Sequence, residues 1–530
     1  MRELNIYYTS DTHGHIFPVN YGTNKPEDSG LLNIAKEIKK DGNTLVLDGG
    51  DSLQGTPLTQ YYLSHSKEYD FHPVATGFNA MKLDYFTLGN HDFNFGYDVI
   101  RDYLNAMEGQ CLCANVEDLR GELKLQKTAV KVLDNGLKVG LSGAVTEFVN
   151  VWEQKEHLTE LKVTDPYEAA KEALEELRKE NCDIYILIYH GGFEEDPKTL
   201  RKLSSTRENL GCMIGRELGY DILLTGHQHI ANEKFMLDNT FAVQPPSNAV
   251  KYIYMNVCQK EVSEEVSGND YFKSEDYEEC GKTGSFYVAS KLVHTGSEHE
   301  AQPFETMLEM ENNIQTWLDE PIGELVEAIA PEEKMDAALY GSRIAAIFNQ
   351  VQLEFSGADF SCTSLGNDPL GLDKKITIRD ICRIYTFSNT VMVLEVTGET
   401  LLSSLERVAS YFVLDKDGKP AVSEEFLMPK VEHYNYDFYA GMDYAFDLTK
   451  PVGERVIKMQ KLDGSPIQMD AKYTLVTSNY RATGTGGYTA IGNSEIIRNS
   501  TEEMPDLLQA FVKKHTPVPE IHNSILKVIW

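Results

Sequence analysis

Five stretches of this chain end the same way, with a short apolar run that stops at residues able to bind a metal. Leu4-Asn5-Ile6-Tyr7-Tyr8 leads to Asp11 and His13, and Leu45-Val46-Leu47 leads to Asp48-Gly49-Gly50-Asp51. Tyr85-Phe86-Thr87-Leu88 leads to Gly89-Asn90-His91-Asp92. Ile184-Tyr185-Ile186-Leu187-Ile188 leads to His190-Gly191-Gly192, and Ile222-Leu223-Leu224 leads to Gly226-His227-Gln228-His229. Carboxylates, imidazoles and amide oxygens suit hard or borderline divalent metals. Each ending alone is a weak signal, because Asp after Gly is mostly turn chemistry and a His beside glycines is ordinarily a surface loop residue. Asn-His after a glycine has fewer packing explanations. The combination of all five, each after an apolar run, is specific.

The elements that must position these residues follow from the same runs. Apolar runs of this length read as buried strands. In open α/β sheets, ligands gather at the carboxyl ends of strands, so the five endings can meet at one site. Residues 1 to about 260 alternate strand-like and helix-like segments, with Leu31–Lys40 and Tyr167–Lys179 predicted as amphipathic helices. Residues 259–300 are polar and predicted as loops or short exposed strands. Phe304, Leu308, Met310, Ile314 and Leu318 recur at helical spacing before Pro321, which predicts a linker helix. A second domain follows, with β-rich segments such as Val391–Val396 and Tyr473–Val476.

At 530 residues the chain is too long for one ordinary domain. Its formal net charge of -33 disfavours a nucleic-acid polymer as partner, because binding the backbone needs Lys and Arg. An anionic substrate must therefore be drawn by something local, and metal ions would serve. No apolar run approaches the roughly 18 residues of a membrane span. The N-terminus enters a strand without an apolar leader, and the eight cysteines form no CxxC pair. Cys111 and Cys113 share a face if their segment is a strand, which suits core packing. The expectation is a cytoplasmic protein with reduced thiols and no membrane partner.

With these motifs in place, the chain resembles the calcineurin-like metallophosphoesterases. More narrowly it looks like the two-domain 5'-nucleotidase and 2',3'-cyclic-nucleotide phosphodiesterase family, over nearly its whole length. The resemblance implies an α/β chain with three parts. Residues 1–300 would form a four-layered α/β/β/α metallophosphoesterase domain, 301–321 the linker helix and 322–530 an α+β nucleotide-binding domain. Asp11, His13 and His229 would hold one divalent ion, Asn90, His190 and His227 a second, and Asp51 would bridge them. Imidazole and carboxylate ligands accept Mn, Zn, Co or Fe alike. His91 would act as a catalytic acid or phosphoryl stabiliser beside ligand Asn90.

The resemblance also carries departures. Where typical 5'-nucleotidases place an Asp three residues after the catalytic His, this chain has Asn94, as in the cyclic-phosphodiesterase/3'-nucleotidase branch. After Gly357-Ala358-Asp359 the 5'-nucleotidase loop Gly-Gly-x-Arg is absent, and Ser364-Leu365-Gly366-Asn367-Asp368 stands there. Tyr434–Gly441 also looks like the cyclic branch. In the C-terminal domain Phe387 and Tyr480 match the rings that sandwich a base, with Asn389 and Arg481 beside them. Gly484-Thr485-Gly486-Gly487-Tyr488 opens no evident helix and reads as a loop near the base. The expected function is dinuclear metal-dependent hydrolysis of nucleotide phosphoesters, foremost of 2',3'-cyclic nucleotides with 3'-nucleotidase activity. A 5'-nucleotidase or nucleotide-sugar hydrolase is the enzymatic alternative, and a non-catalytic nucleotide-binding protein is the alternative of another class.

Overall fold

The computed structural model describes residues 2–198, 200, 207–259, 281–296, 305–368, 370–386, 389–428 and 431–530. The chain divides into two compact units, Met1–Asn20 with Asn24–Ile314 and Tyr21–Thr23 with Gln315–Trp530.

The first unit is built on two sheets. In one, Glu3–Thr9 runs parallel to Thr44–Asp48, which runs parallel to Tyr85–Phe86. In the other, Lys138–Val145, Ile184–His190, Ile222–Thr225 and Thr240–Gln244 are successive parallel neighbours. Strand side chains alternate between faces. Leu4, Ile6, Tyr8, Leu45 and Leu47 of the first sheet therefore meet Val139, Leu141, Ile186, Ile188, Ile222 and Leu224 of the second in one core. The alternate set, Leu187, Tyr189 and Leu223, packs against Ala170 and Leu174 of the helix Pro166–Lys179. On the outer side of the first sheet, the Tyr103 ring of the helix Tyr97–Ala106 lies 5.8 Å from that of Phe86. The order is helix, sheet, sheet, helix, the four-layered arrangement expected of this unit.

Local chemistry sets the helix ends. The Asp165 carboxylate accepts from the Tyr167 and Glu168 amides and Pro166 takes the first helical position, so Pro166–Lys179 starts where the sequence places it. The first predicted helix is shorter than expected, at Leu31–Glu37, with Ile38 extended. The chain leaves the helix because the Lys39 amide donates to the Tyr7 hydroxyl at 3.2 Å and Lys40 pairs with Asp84 at 2.8 Å. The polar stretch after residue 259 contains a longer strand than its composition suggests. Phe286–His294 pairs with Lys251–Cys258, with Phe286 and Val288 in the inter-sheet core. Cys111 and Cys113 are buried, unbonded thiols.

The second unit carries a five-stranded mixed sheet in the order Asp437–Ala440, Phe360–Ser364, Lys472–Ser478, Thr390–Thr397, Glu495–Glu503. A three-stranded sheet of Val456–Lys461, Met442–Asp447 and Ile525–Ile529 accompanies it. The helix Glu305–Leu318 occupies the predicted linker, and Phe304 lies outside the described residues. No helix among the described residues is long and apolar enough to cross a membrane.

The inter-sheet core predicts a stability cost. Ile186 is fully buried there, so Ile186→Ala should destabilise the first unit by about 2–5 kcal/mol. Urea unfolding followed by circular dichroism checks this through the midpoint of that unit's transition.

Candidate metal centre

The parallel strand ends bring the seven candidate ligands into one place. The Asp11 amide donates to the Gly50 carbonyl at 2.9 Å, and the His13 amide to the Asp51 carbonyl at 2.9 Å. The His227 amide donates to both Asp11 carboxylate oxygens, at 2.9 and 3.0 Å. Asp11, His13, Asp51, His227 and His229 all have positive φ, between 48° and 73°. Non-glycine residues rarely adopt that region, and clusters of such residues mark functional sites. The close approach also needs missing side chains. A Cβ on Gly89 would fall 2.2 Å from the Asp51 carboxylate, and one on Gly226 would fall 2.1 Å from the Ser10 hydroxyl.

Two groups of ligand atoms result, Asp11 with His13 and His229, and Asp51 with His190 and His227, each with its atoms within 4.8 Å of one another. Hydrogen bonds fix which ring nitrogen faces inward. His13 Nδ1–H donates to the Gln54 carbonyl at 3.0 Å and His190 Nδ1–H to the Gly49 carbonyl at 2.6 Å, so each turns Nε2 to the centre. His13 Nε2 and His229 Nε2 stand 3.0 Å apart, and His229 Nε2 lies 3.4 Å from Asp11 Oδ1. His190 Nε2 lies 3.2 Å from Asp51 Oδ2 and 3.1 Å from Asn90 Oδ1. His227 is turned the other way, with Nδ1 2.8 Å from Asn90 Oδ1. Such spacings between donor atoms are those of ligands sharing a cation at about 2.0–2.2 Å. The residues present therefore fit two divalent ions.

The electrostatics agree. Burial works against the Asp11 charge, but His229 and His190 hold its carboxyl down at about 2. Burial likewise opposes the Asp51 charge, and His190 and His91 keep its carboxyl well below the usual range. Burial pushes the His13 imidazole down to about 3, so it is neutral and ready to ligate. His190 goes the other way: burial favours the neutral ring, but the Asp51 carboxylate overrides it and raises the imidazole. Binding a cation there must displace that proton.

His91 sits beside the ligands without belonging to either group. Its amide donates to Asp51 Oδ1 at 2.7 Å, and its ring lies edge-on to His13 at 5.6 Å. Its Nδ1 lies 2.9 Å from Asn94 Oδ1.

Three supporting residues carried no sequence signal of their own. The buried Asp92 carboxylate accepts from the amides of Gly89, Asp51, Ser52 and Leu53 at 2.8–3.0 Å and so ties two strand-end loops together. Its place in Gly89-Asn90-His91-Asp92 was the available hint. Glu208 Oε1 accepts from His227 Nε2–H at 3.1 Å. Trp152 stacks on the His227 ring at 5.3 Å and 26°. The Glu208 bond explains why His227, unlike His13 and His190, offers Nδ1, and the Trp152 contact holds the ring plane.

In the second unit, Tyr480 is 37% exposed, and the Arg481 guanidinium lies 5.5 Å from its ring centre. Arg481 itself is turned inward. Its Nε and Nη2 pair with Asp437 at 2.7 and 2.9 Å, and Nη1 reaches the Thr485 carbonyl. A phosphate contact would require that fork to open. Asn389 donates from Nδ2 to the Tyr385 hydroxyl at 3.3 Å. The ladder sets Val391 opposite Ser478, so Asn389 and Tyr480 lie at the same end of the sheet. Phe387 lies outside the described residues.

A four-layered α/β/β/α unit with carboxylate, amide and imidazole ligands at its strand ends defines a metal-dependent phosphoesterase. Comparison with known proteins agrees. Residues 4–231 match the calcineurin-like phosphoesterase family, and residues 325–493 match the 5'-nucleotidase C-terminal domain. The chain belongs to the family that joins these two domains, and it is a phosphohydrolase that uses divalent metal. A solved structure from Staphylococcus aureus described as a 5'-nucleotidase is 28% identical, with TM-score 0.84 and 100% of both chains covered. The 2',3'-cyclic-nucleotide 2'-phosphodiesterase/3'-nucleotidase of Haemophilus influenzae is 24% identical over 96% of this chain and 84% of its own. The trifunctional nucleotide phosphoesterase of Bacillus subtilis is 25% identical over 98% of this chain, which spans only 38% of that relative.

The Glu208 contact gives a prediction about metal. Glu208→Ala should weaken binding of one of two Mn²⁺ ions by about 10–100-fold, the range for outer carboxylates on ligand histidines. Isothermal titration of metal-free protein checks it. Two unchanged sites would show that Glu208 does not orient His227.

Proposed function

We propose that the protein hydrolyses nucleotide phosphoesters at a dinuclear centre, acting as a 2',3'-cyclic-nucleotide 2'-phosphodiesterase with 3'-nucleotidase activity. The observation that carries this is the pair of ligand groups, Asp11/His13/His229 and Asp51/His190/His227, with Asn90 Oδ1 against His190 and His227. In this reading Asp51 would bridge the ions, residues 1–300 would hold the chemistry, 301–321 would link, and 322–530 would hold the nucleoside. The free thiols Cys111, Cys113 and Cys212 suit a reducing compartment, and we place the protein in the cytoplasm.

Two divalent ions held by these residues would supply Lewis-acid stabilisation of phosphoryl oxygens and acidify water. The chain's own residues do the rest. Asp11 and Asp51 stay ionised and set the ions' positions. The Asn94 amide oxygen accepts a hydrogen bond from His91 Nδ1–H. That fixes the ring's orientation and aims Nε2 outward, where the imidazolium form has a proton to give the departing ribose oxygen. An amide does this without adding a charge beside the phosphate, and this supports the cyclic branch. The cyclic-nucleotide relatives from Haemophilus influenzae and Salmonella typhimurium support it as well. The likeness to the Staphylococcus aureus structure favours the second reading, a 5'-nucleotidase.

A substrate panel separates the two. With Mn²⁺ added, kcat/KM for 2',3'-cyclic AMP should exceed that for 5'-AMP by at least about tenfold, only ~1.4 kcal/mol of transition-state stabilisation. His91→Ala should lose about 10²–10⁴-fold in kcat on the preferred substrate while keeping both metals by elemental analysis. Preference for 5'-AMP would transfer the assignment to the second reading, and metal loss in His91→Ala would make His91 a ligand.

A further inference from the structure

The turn Gly226-His227-Gln228-His229 supplies one imidazole to each group of ligand atoms, and Gln228 stands between the two. Both histidines have positive φ, 73° at His227 and 57° at His229. That region is strained for a residue with a side chain, so the surroundings must hold it. Within the turn, the Gln228 amide donates to the Gly226 carbonyl at 2.8 Å. Because His227 and His229 belong to different ligand groups, any shift of Gln228 moves a ligand of each.

The Gln228 side chain crosses to the loop that carries His190. Its Oε1 accepts from the Phe193 amide at 2.8 Å, and its Nε2 donates to the Phe193 carbonyl at 2.9 Å. A carboxamide has one acceptor oxygen and two N–H donors, so it can pair with one residue's main chain as an antiparallel strand would. Phe193 is a firm anchor for that pair. It is buried in the cluster that contains Leu187 and Leu223, with its ring edge-on to Phe235 at 5.2 Å. Gly192, before it, is held from the other side: its amide donates to Asn209 Oδ1 at 2.7 Å, and its carbonyl accepts from the Gly211 amide at 2.9 Å. The crossing also needs glycine at 192. A Cβ there would lie 2.1 Å from both the carbon and the oxygen of the Gln228 carboxamide.

We propose that Gln228 is a positioning residue for both metal sites at once: its pair of bonds to the Phe193 main chain holds His227 and His229 in register with His190, and so sets the affinity and the spacing of two ions. The proposal rests on the reading that the centre is dinuclear. It gives Gln228 a role different from that of Glu208, whose bond reaches His227 alone. Loss of Glu208 is expected to weaken one site. Loss of the Gln228 pair is expected to weaken both, because its backbone joins a ligand of one group to a ligand of the other. The role belongs to the carboxamide rather than to its bulk. Methionine, with a similar length and an adaptable chain, can fill the space but makes neither bond.

The test titrates metal-free, full-length protein with Mn²⁺ by calorimetry and reads the loaded protein by electron paramagnetic resonance, which detects exchange coupling between neighbouring Mn²⁺ ions. The wild type should take up two ions and show the coupled spectrum. Gln228→Met should weaken both sites by about tenfold or more, within the range for groups that orient metal ligands, and should change the coupled spectrum at saturating Mn²⁺. Gly192→Ala keeps Gln228 but puts a methyl group where its carboxamide lies, and it should do the same. The double variant should be no worse than either single one, because both act through the same two bonds. Thermal unfolding of the metal-free forms confirms that each is folded, and if Gln228→Met is not, Gly192→Ala carries the test. Full affinity at both sites overturns the proposal, and so does loss at one site alone. Weakened sites with an unchanged coupled spectrum overturn it too, since general loosening of the fold would give that result. A wild type that takes up a single ion defeats the dinuclear reading itself and takes this proposal with it.

Discussion

The metal centre depends on two carboxylates that are buried where carboxylates ought not to be. Asp11 and Asp51 are 0% and 1% exposed, and each raises the cost of the other's charge. Burying an ion away from water is expensive unless opposite charge or hydrogen bonding meets it. The compensation comes from imidazoles and backbone amides. The His227 amide donates to Asp11, the His91 amide to Asp51, and the charge of His190 acts on both. Divalent cations complete the balance when present. This explains why so many ligands are histidines: neutral rings can ligate, and a protonated one can stand in for the metal's charge.

The same residues carry strain in the backbone. Five candidate ligands adopt left-handed conformations, each of which costs about 1–3 kcal/mol for an ordinary side chain. The surrounding sandwich must hold them there. It does so through the inter-sheet core, through the glycines at strand ends that let loops touch, and through Asp92, whose carboxylate binds four amides. Burial raises the Asp92 carboxyl, yet those amides and the rigid loops retain it as an acceptor. A site assembled this way needs little rearrangement to receive its ions.

The second unit handles its buried charge differently. Arg481 and Asp437 neutralise one another, and Arg481 also stacks on the Tyr488 ring at 4.0 Å. A guanidinium so engaged is a scaffold for the Asn479–Ala482 turn that presents Tyr480.

The gathering of the candidate ligands at one place was legible in the sequence because each follows its own apolar run. Strand periodicity, burial and the carboxyl-end rule are local properties, and they place Asp11, His13, Asp51, Asn90, His190, His227 and His229 at neighbouring strand ends. The capped helix Pro166–Lys179 was legible for the same reason. Other features depend on partners far away along the chain. The early end of the helix Leu31–Glu37 follows from Tyr7 and Asp84, and the strand Phe286–His294 forms because its pairing partner begins at Lys251. Glu208 selects the His227 tautomer from a stretch that has no motif, and Arg481 turns inward because Asp437 waits beneath it. Those outcomes are contacts between sequence-distant groups. Residue type and spacing record what each side chain can do, and only the packed chain decides which partner satisfies it first.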